Sequence, residues 1–388
     1  MIWKVTGPWV YPGTSRNTQP KPKLWRGVKD VRRIVLTGGG TAGHVMPNLA
    51  LIPELKNSWE VYYIGSETGM EREIIRQAGV PYFSIATGKL RRYLSLKNLT
   101  DPFLVIKGLT QAYFILRKLR PLVVFSKGGF VSVPVVIAAW LNRIPVVLHE
   151  SDLTPGLANR LCLPFSRLIC ATFPETIPFL PAKKSILTGN PIRREIFMGS
   201  KEEGLSICGF TKEKPVLLVT GGSLGSVKIN RLVRSVLPDL LSIFQVVHIC
   251  GKGHLDETLK NKRGYAQFEF ISTELPSILA AADICLSRAG ANFIFELLAL
   301  KKPTLLIPLS KQASRGDQIL NARSFEKQHF SMVLMEEEIT EERLVEKIKE
   351  LYANRLRFTA AMEKSGQQNA SAKVIKLLHS LANSSGNL

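Results

Sequence analysis

The stretch VLTGGGTAGHVMPNLAL, Val35–Leu51, decides how this chain is to be read. An apolar run breaks into three consecutive glycines, and an apolar pattern with helical spacing follows them. A short Val- and Ile-rich run ending in a glycine turn, then a 3.6-residue period, is the pattern of a strand feeding a helix. Reading outward, EVYYIG, PLVVFSKGG and IPVVLHES give further short strands, with GMEREIIRQAG as a helix among them. Strands that alternate with helices build parallel sheets covered on both faces, so a doubly wound α/β domain is expected.

The pattern restarts at KPVLLVTGGSLG, Lys214–Gly225, and continues through FQVVHICG, AQFEFIS, DICLSRAG and PTLLIPL. Two similar α/β halves are therefore expected. At 388 residues and 45% hydrophobic, the chain is long enough for two cores at roughly 100 to 200 residues per domain. Residues 1–30, with Pro8, Pro12, Pro20 and Pro22, read as a disordered extension or an over-long gene start. Residues 31–192 form the first domain, 193–204 a linker and 205–365 the second domain. Residues 366–388 form a C-terminal helix with the option of crossing back to the first. The longest apolar run, VSVPVVIAAWL, Val131–Leu141, falls well short of the ~20 residues that span a bilayer. Five scattered cysteines (Cys162, Cys170, Cys208, Cys250, Cys285) form no closely spaced pair, which favours a reducing cytosol and thiols used as small apolar side chains.

A net charge of +21 calls for an anionic partner, whether nucleic acid, acidic lipid headgroups or a phosphorylated substrate. Much of the charge lies in Gly88–Arg120, where Lys89, Arg91, Arg92, Lys97, Lys107, Arg117, Lys118 and Arg120 interleave with Leu90, Tyr93, Leu94, Leu96, Phe103 and Leu104. Such a surface suits an anionic membrane, and an ordinary amphipathic helix with a solvated basic face explains it equally. No recognisable nucleic-acid module accompanies the charge.

Gly38, Gly40 and Gly43 satisfy the dinucleotide pattern G-x-G-x-x-G between a strand and a helix. The next strand nevertheless ends without the acidic residue a ribose needs, Glu67 falling three positions late, and no Walker lysine follows the glycines. The second turn, Gly221-Gly222-Ser223-Leu224-Gly225, opens a helix whose amides and dipole suit a phosphate, with Ser223 adding a hydroxyl. His44, just inside a helix N-terminus, reads as a neutral base or hydrogen-bond partner, or as a residue that merely caps the turn. His149 ends a strand beside Glu150 and Asp152, where α/β enzymes place functional groups, whereas His248 sits in an apolar strand and reads as core. No D-x-D occurs, so a reaction without metal or cofactor is expected, with amides and cations balancing diphosphate charge.

From about Arg33 to Lys376 the chain resembles the MurG family of peptidoglycan glycosyltransferases. The resemblance rests on TGGGTAGHVMPNLAL, SKGGFVSVPVVIAAW, VVLHESDLTPGLANR, GNPIR, VTGGSLGS, SRAGANFIFELLAL and SRGDQILNA, taken in order. It implies a GT-B fold, two Rossmann-like domains facing across a cleft, that moves N-acetylglucosamine from UDP to the lipid-linked muramoyl-peptide lipid I. It further implies that Ser223 and Arg193 meet the donor diphosphate beside Gly222, Ile271 the uracil and Glu296 the ribose. Ala291 would lie among the donor contacts, and Gln318 with Asp317 would read the sugar hydroxyls. Thr41, Ala42, Gly43 and His44, with Asp152, would lie on the acceptor side. Glu296 also stands out on the residues alone, as the one charge in the apolar run Phe293–Leu297.

Ala42 replaces the family's common glycine, Ser151-Asp152 its usual Gln-Asn and Leu224 its frequent glutamine, which marks a variant branch. The expected chemistry is an inverting single displacement with His44 as first candidate base and Asp152 as second. A positioned base contributes typically ~100 to 10,000-fold in rate. Expected partners are UDP-N-acetylglucosamine, lipid I in the membrane, an anionic phospholipid surface and other cell-wall synthesis proteins, with no nucleic acid. The expected location is peripheral, on the cytoplasmic face of the cell membrane. The competing expectations are a UDP-sugar-dependent diacylglycerol glycosyltransferase and a non-catalytic sugar-nucleotide sensor.

Overall fold

In the first half, strand β1 (Arg33–Thr37) enters helix α1 (Ala42–Leu55), followed by β2 (Glu60–Ser66), α2 (Glu71–Gln77), β3 (Tyr82–Ile85) and α3 (Lys97–Leu119). Then come β4 (Val123–Ser126), α4 (Ser132–Leu141), β5 (Val146–Glu150), α5 (Leu157–Cys162), β6 (Leu168–Ala171) and β7 (Ser185–Leu187). This computed structural model describes residues 32–88, 97–222, 225–312, 314–366 and 369–385. The expected extension over residues 1–30, Ser223 of the second glycine turn, and Lys89, Leu90, Arg91, Arg92, Tyr93, Leu94 and Leu96 of the basic stretch lie outside the described residues.

The seven strands form one parallel sheet in the order β3-β2-β1-β4-β5-β6-β7. Period-2 alternation with both faces covered explains the apolar centre of β1: Ile34 and Leu36 enter one core with Val45, Leu49 and Ile52 of α1. Val35 enters a second core on the opposite face, with Ala112 and Leu116 of α3 and Val135 and Val136 of α4. Burying each such aliphatic side chain contributes roughly 1.5–3 kcal/mol, which is what holds helices against both faces.

The second half begins with α6 (Lys201–Cys208), β8 (Val216–Thr220), α7 (Val227–Ser235), α8 (Leu237–Ile243), β9 (Gln245–Ile249), β10 (Tyr265–Phe268) and α9 (Leu275–Ala281). It continues through β11 (Ile284–Ser287), α10 (Ala291–Ala299), β12 (Thr304–Leu306), α11 (Asp317–Lys327), β13 (Ser331–Val333), α12 (Glu341–Ala353) and α13 (Arg355–Lys364). Its parallel sheet runs β10-β9-β8-β11-β12-β13. β8 repeats the logic of β1, with Leu217 and Val219 in one core and Val216 and Leu218 in the other.

The described residues fall into two compact units: one holds those up to Ser151, Pro155–Pro191 and those from Ser371, the other Asp152–Thr154 and those within Ile192–Ala370. Residues 193–204, read above as a linker, are packed parts of the second unit. A short 3-10 turn covers Arg194–Met198, Ile196 and Leu205 are buried, and a Cβ on Gly204 would sit 2.0 Å from the Ser277 carbonyl oxygen. Their charged composition hides contacts that come from α9, far along the chain. Helix α14 (Ser371–Ser385) belongs to the first unit, with Val374, Leu378 and Ala382 in its core and the Trp59 indole N–H donating to His379 Nε2 at 3.2 Å. Among the described residues no helix is long and apolar enough to cross a membrane.

Candidate functional site

In doubly wound sheets ligands bind beyond the carboxyl ends of the strands, where the strand order reverses. In the first unit that point lies between β1 and β4, and in the second between β8 and β11. The first pair opens onto Gly38-Gly39-Gly40 and Lys127-Gly128-Gly129, and these loops pack tightly together. Gly129 holds φ +84 with its missing Cβ aimed 2.2 Å from the Gly39 carbonyl oxygen, and a Cβ on Gly40 (φ +90) would sit 2.5 Å from the Phe130 ring. A Cβ on Gly39 would strike the buried carboxylate of Glu71, whose Oε1 accepts from the Ser66 amide at 3.1 Å. Glycine is thus demanded here by the protein's own packing. The Tyr63 hydroxyl donates to Gly38 O at 2.6 Å and Asn48 Nδ2 to Thr37 O at 3.2 Å, which fixes the turn from beneath.

Thr41 is the extended residue before α1, and its Oγ1 lies 2.9 Å from His44 Nδ1. Thr41 is exposed, while Gly43 and His44 are half-buried at the helix mouth and Ala42 is its first residue. With Nδ1 engaged by the hydroxyl, the imidazole is oriented before any substrate arrives. Four residues on, Asn48 also reaches the His44 carbonyl at 3.4 Å and ties the first turn of the helix to the floor of the loop.

Lys127 and His149 escaped a full reading from sequence. Lys127 is 1% exposed, donates to His149 Nδ1 at 2.7 Å, and also donates to the Ser151 hydroxyl. His149 is fully buried and its Nε2 lies 3.0 Å from the Gly189 carbonyl. Burial first, and then the Lys127 charge, hold His149 well below the usual imidazole range, so it is neutral. Beside it Glu150 Oε2 accepts from the Gly156 amide at 3.0 Å and from Asn159 Nδ2 at 2.8 Å, which shapes the loop that returns to α5. The one sequence signal was the position of Lys127 and His149 at strand ends. The sheet order that makes them neighbours is not local information.

In the second unit β8 ends in Gly221-Gly222, with Gly222 at φ +90 and open space where its Cβ would stand. Ser226 caps α7 by accepting from the Ile229 amide at 3.4 Å. From the neighbouring strand end, Arg288 is buried and donates to Ser226 Oγ at 2.9 Å, to the Ile307 carbonyl at 3.1 Å and to Glu336 Oε1 at 2.6 Å. Burial pushes Glu336 up, but the hydrogen bond and charge of Arg288 outweigh it and hold the carboxyl below its ordinary value. Sequence reading missed this pair, which ties the loops of the two central strands together.

Gly290 precedes α10 with nothing within 4 Å of a Cβ built on it, so the helix start at the buried Ala291 is open. One turn on, Glu296 is 7% exposed and pairs through Oε1 with Arg193 Nε at 3.1 Å and with its NH2 at 3.0 Å. Burial raises the Glu296 carboxyl above its usual value, with Arg193 pulling the other way. The structure therefore brings Arg193 and Glu296 together. Ile271 is 7% exposed, its side chain packed with Leu205, Val216 and Leu218.

Asp317 opens α11 behind Gly316 (φ +86), with Oδ1 accepting from Thr154 Oγ1 at 3.1 Å and Oδ2 paired with Arg315 at 2.8 Å. Gln318 beside it accepts the Leu309 amide at 3.1 Å. Asp152, expected on the acceptor side, groups with the second unit, where its Oδ1 accepts from Asn321 Nδ2 at 3.2 Å. Asn321 also receives the Leu153 amide at 3.1 Å, so this fully buried asparagine organises residues 152–154.

The chain matches the family models described as glycosyltransferase family 28 N-terminal domain over residues 34–169 and glycosyltransferase family 28 C-terminal domain over residues 216–378. It is 56% identical over 349 residues to the UDP-N-acetylglucosamine–N-acetylmuramyl-(pentapeptide) pyrophosphoryl-undecaprenol N-acetylglucosamine transferase of Clostridium botulinum strain Langeland, covering 90% of this chain and 99% of that protein. The transferase of the same name from Clostridium kluyveri is 57% identical over the same share of both chains. Among solved structures, Acinetobacter baumannii MurG matches with a TM-score of 0.70 at 23% identity, covering 90% of this chain and 99% of that one. The kitacinnamycin glycosyltransferase matches with 0.67 at 16%, with the same coverage, and these likenesses show the two-domain GT-B fold. By its sequence along both halves, the chain belongs to glycosyltransferase family 28, in the MurG family of N-acetylglucosamine transferases.

Proposed function

We propose that this protein transfers N-acetylglucosamine from UDP-N-acetylglucosamine to the 4-hydroxyl of the muramoyl sugar of lipid I, forming lipid II with inversion at the anomeric carbon. The observation that carries this reading is the 56% identity over 349 residues with transferases of that name. The donor belongs to the second unit: diphosphate over the glycine turn at Gly222 and Ser223, ribose on Glu296, and sugar hydroxyls on Asp317 and Gln318. Since the Ile271 side chain is packed inward, its backbone is the part offered to uracil. Arg193 reaches Glu296 and so orients the ribose carboxylate; release of one guanidinium contact lets it meet the diphosphate as well.

The acceptor groups are those of the first unit around Thr41, Gly43 and His44. If Thr41 Oγ1 accepts the Nδ1 proton, Nε2 of His44 becomes the basic nitrogen that takes the proton of the attacking hydroxyl. Donors preorganised at the second glycine turn stabilise UDP as it leaves.

Lipid I resides in a membrane, and α3 offers a surface to meet it. Phe103, Ile106 and Phe114 are 74%, 61% and 62% exposed, and exposed Lys107, Arg117 and Lys118 share that side of the helix. Its other side, Gly108, Ala112 and Leu116, is buried. Apolar rings in the interface and cations on anionic headgroups support a peripheral enzyme on the cytoplasmic face. Incubating the purified protein with UDP-N-acetylglucosamine and a short-chain lipid I analogue should yield the disaccharide product; absence of product with a UDP-binding protein overturns the reading.

A further inference from the structure

A buried cation stands at the mouth of the first sheet. Lys127 is 1% exposed, and it follows β4 directly. Burying an ammonium is costly unless its protons are hydrogen-bonded, so a lysine here calls for partners that need it.

Its hydrogen bonds supply them. An ammonium only donates, so His149 Nδ1, 2.7 Å away, must accept. The imidazole is neutral, and its single proton therefore sits on Nε2 and is donated to the Gly189 carbonyl at 3.0 Å. The same ammonium donates to Ser151 Oγ, which fixes that oxygen as acceptor and directs the hydroxyl proton away from Lys127. The cation at one end and the acceptor-only Gly189 carbonyl at the other agree on the direction of every bond in a chain that joins three segments. These are the glycine loop after β4, the residues just past β5, and Gly189, held at φ +83 where the chain has left β7. The first of these loops packs on Gly39 of the opening glycine turn, and the second continues into Asp152.

We propose that Lys127 is a positioning residue for transfer to the acceptor. Through its bonds to Ser151 and His149 Nδ1 it holds in one geometry the glycine loop after β4, which packs on Gly39 just before Thr41 and His44. It rests on the transferase reading above. Misplacing reacting groups by about 1 Å costs about 100-fold, so the loss expected from releasing this loop is large, whereas the groups assigned to UDP itself, Gly222 and Glu296, make no contact with Lys127.

The test is Lys127→Met, read against Ser151→Ala and the pair combined. Expected for Lys127→Met are a folded protein whose melting temperature falls by no more than the loss of these buried hydrogen bonds accounts for, a UDP dissociation constant within about 2-fold, and kcat on a short-chain lipid I analogue lowered about 30- to 100-fold. Ser151→Ala should lose less, and the double variant no more than Lys127→Met alone, because both break one chain. A merely structural lysine would lower melting temperature and UDP affinity together. Turnover within 3-fold of the parent, or a loss matched by the loss of folded protein, overturns the proposal. Ring 15N shifts of His149 separate it from the transferase reading: parent and Lys127→Met should both show the Nε2–H tautomer that the Gly189 carbonyl requires, with the Nδ1 shift moved in Lys127→Met because that nitrogen has lost its donor. A parent that makes no disaccharide sinks the transferase reading, and an unchanged Nδ1 shift in Lys127→Met sinks the relay.

Discussion

Replacing Glu296 by glutamine removes one negative charge from α10 while keeping the shape of the side chain. In the structure Oε1 is held by Arg193 from Nε at 3.1 Å and NH2 at 3.0 Å, and the proposed donor site puts a ribose hydroxyl on Oε2. A hydrogen bond to a charged group contributes about 1.5–3 kcal/mol. At about 1.4 kcal/mol per decade, its loss weakens UDP binding roughly 10- to 150-fold. Alanine would be a poor choice, because it leaves the half-buried Arg193 without its partner, a loss of about 3–5 kcal/mol in folding when such a pair is buried. Glutamine keeps an oxygen for Arg193.

Stability supplies the control. Burial raises the Glu296 carboxyl above 4.5, so its contribution is fully present below that value and is lost as pH rises through the folded value. Near neutrality the charged group is therefore a net cost, and Glu296→Gln should be no less stable than the parent at pH 7. Calorimetric titration with UDP, and with 2′-deoxy-UDP, reads the binding. The parent should bind the deoxy nucleotide more weakly, and the variant should scarcely distinguish the two. A folded Glu296→Gln protein with parental UDP affinity refutes the ribose assignment.

His44→Ala should lower turnover by roughly 100- to 10,000-fold with UDP affinity held within about 2-fold; near-parental kcat would remove His44 as the base and leave Asp152. Changing Lys107, Arg117 and Lys118 together to glutamine should reduce partition onto phosphatidylserine vesicles at low salt by about 100-fold, at about 1 kcal/mol per basic residue. Equal sedimentation of parent and variant would remove α3 from the docking surface. His248, fully buried between the Tyr265 hydroxyl at 2.9 Å and Asn230 Oδ1 at 3.0 Å, is pushed down to about 3 by burial and then by Arg234. The unfolded chain protonates first, so stability present above pH 6.5 is lost as pH falls toward 3, at up to about 1.4 kcal/mol per pH unit. Urea titrations at pH 7, 6 and 5 should show a shallower decline for His248→Gln, and parallel declines would contradict the assignment.

What could be read from residues alone was whatever depends on short range. β1 and β8 announce themselves because a strand buried on both faces must be apolar throughout and must end in residues that turn. Glu296 was legible for a related reason, since a carboxylate in an apolar helix needs a purpose that its neighbours do not supply. The opening glycines were legible as a turn, but their reason was not: the space they leave is taken by Phe130, Glu71 and Gly129, which reach them only once β2 and β4 lie beside β1. Asp152 was placed with the strand it follows, whereas its carboxylate goes to Asn321, 169 positions later. Lys127 is the sharpest case. In SKGG it has the look of a surface cation, and only the pairing of β4 with β5, which sets Ser126 opposite Leu148, carries the next residue of each strand into contact. A lysine and a histidine 22 positions apart then share one proton arrangement that no spacing rule anticipates. The same sheet order that brings the two glycine loops of the first unit together therefore also brings Lys127 onto His149.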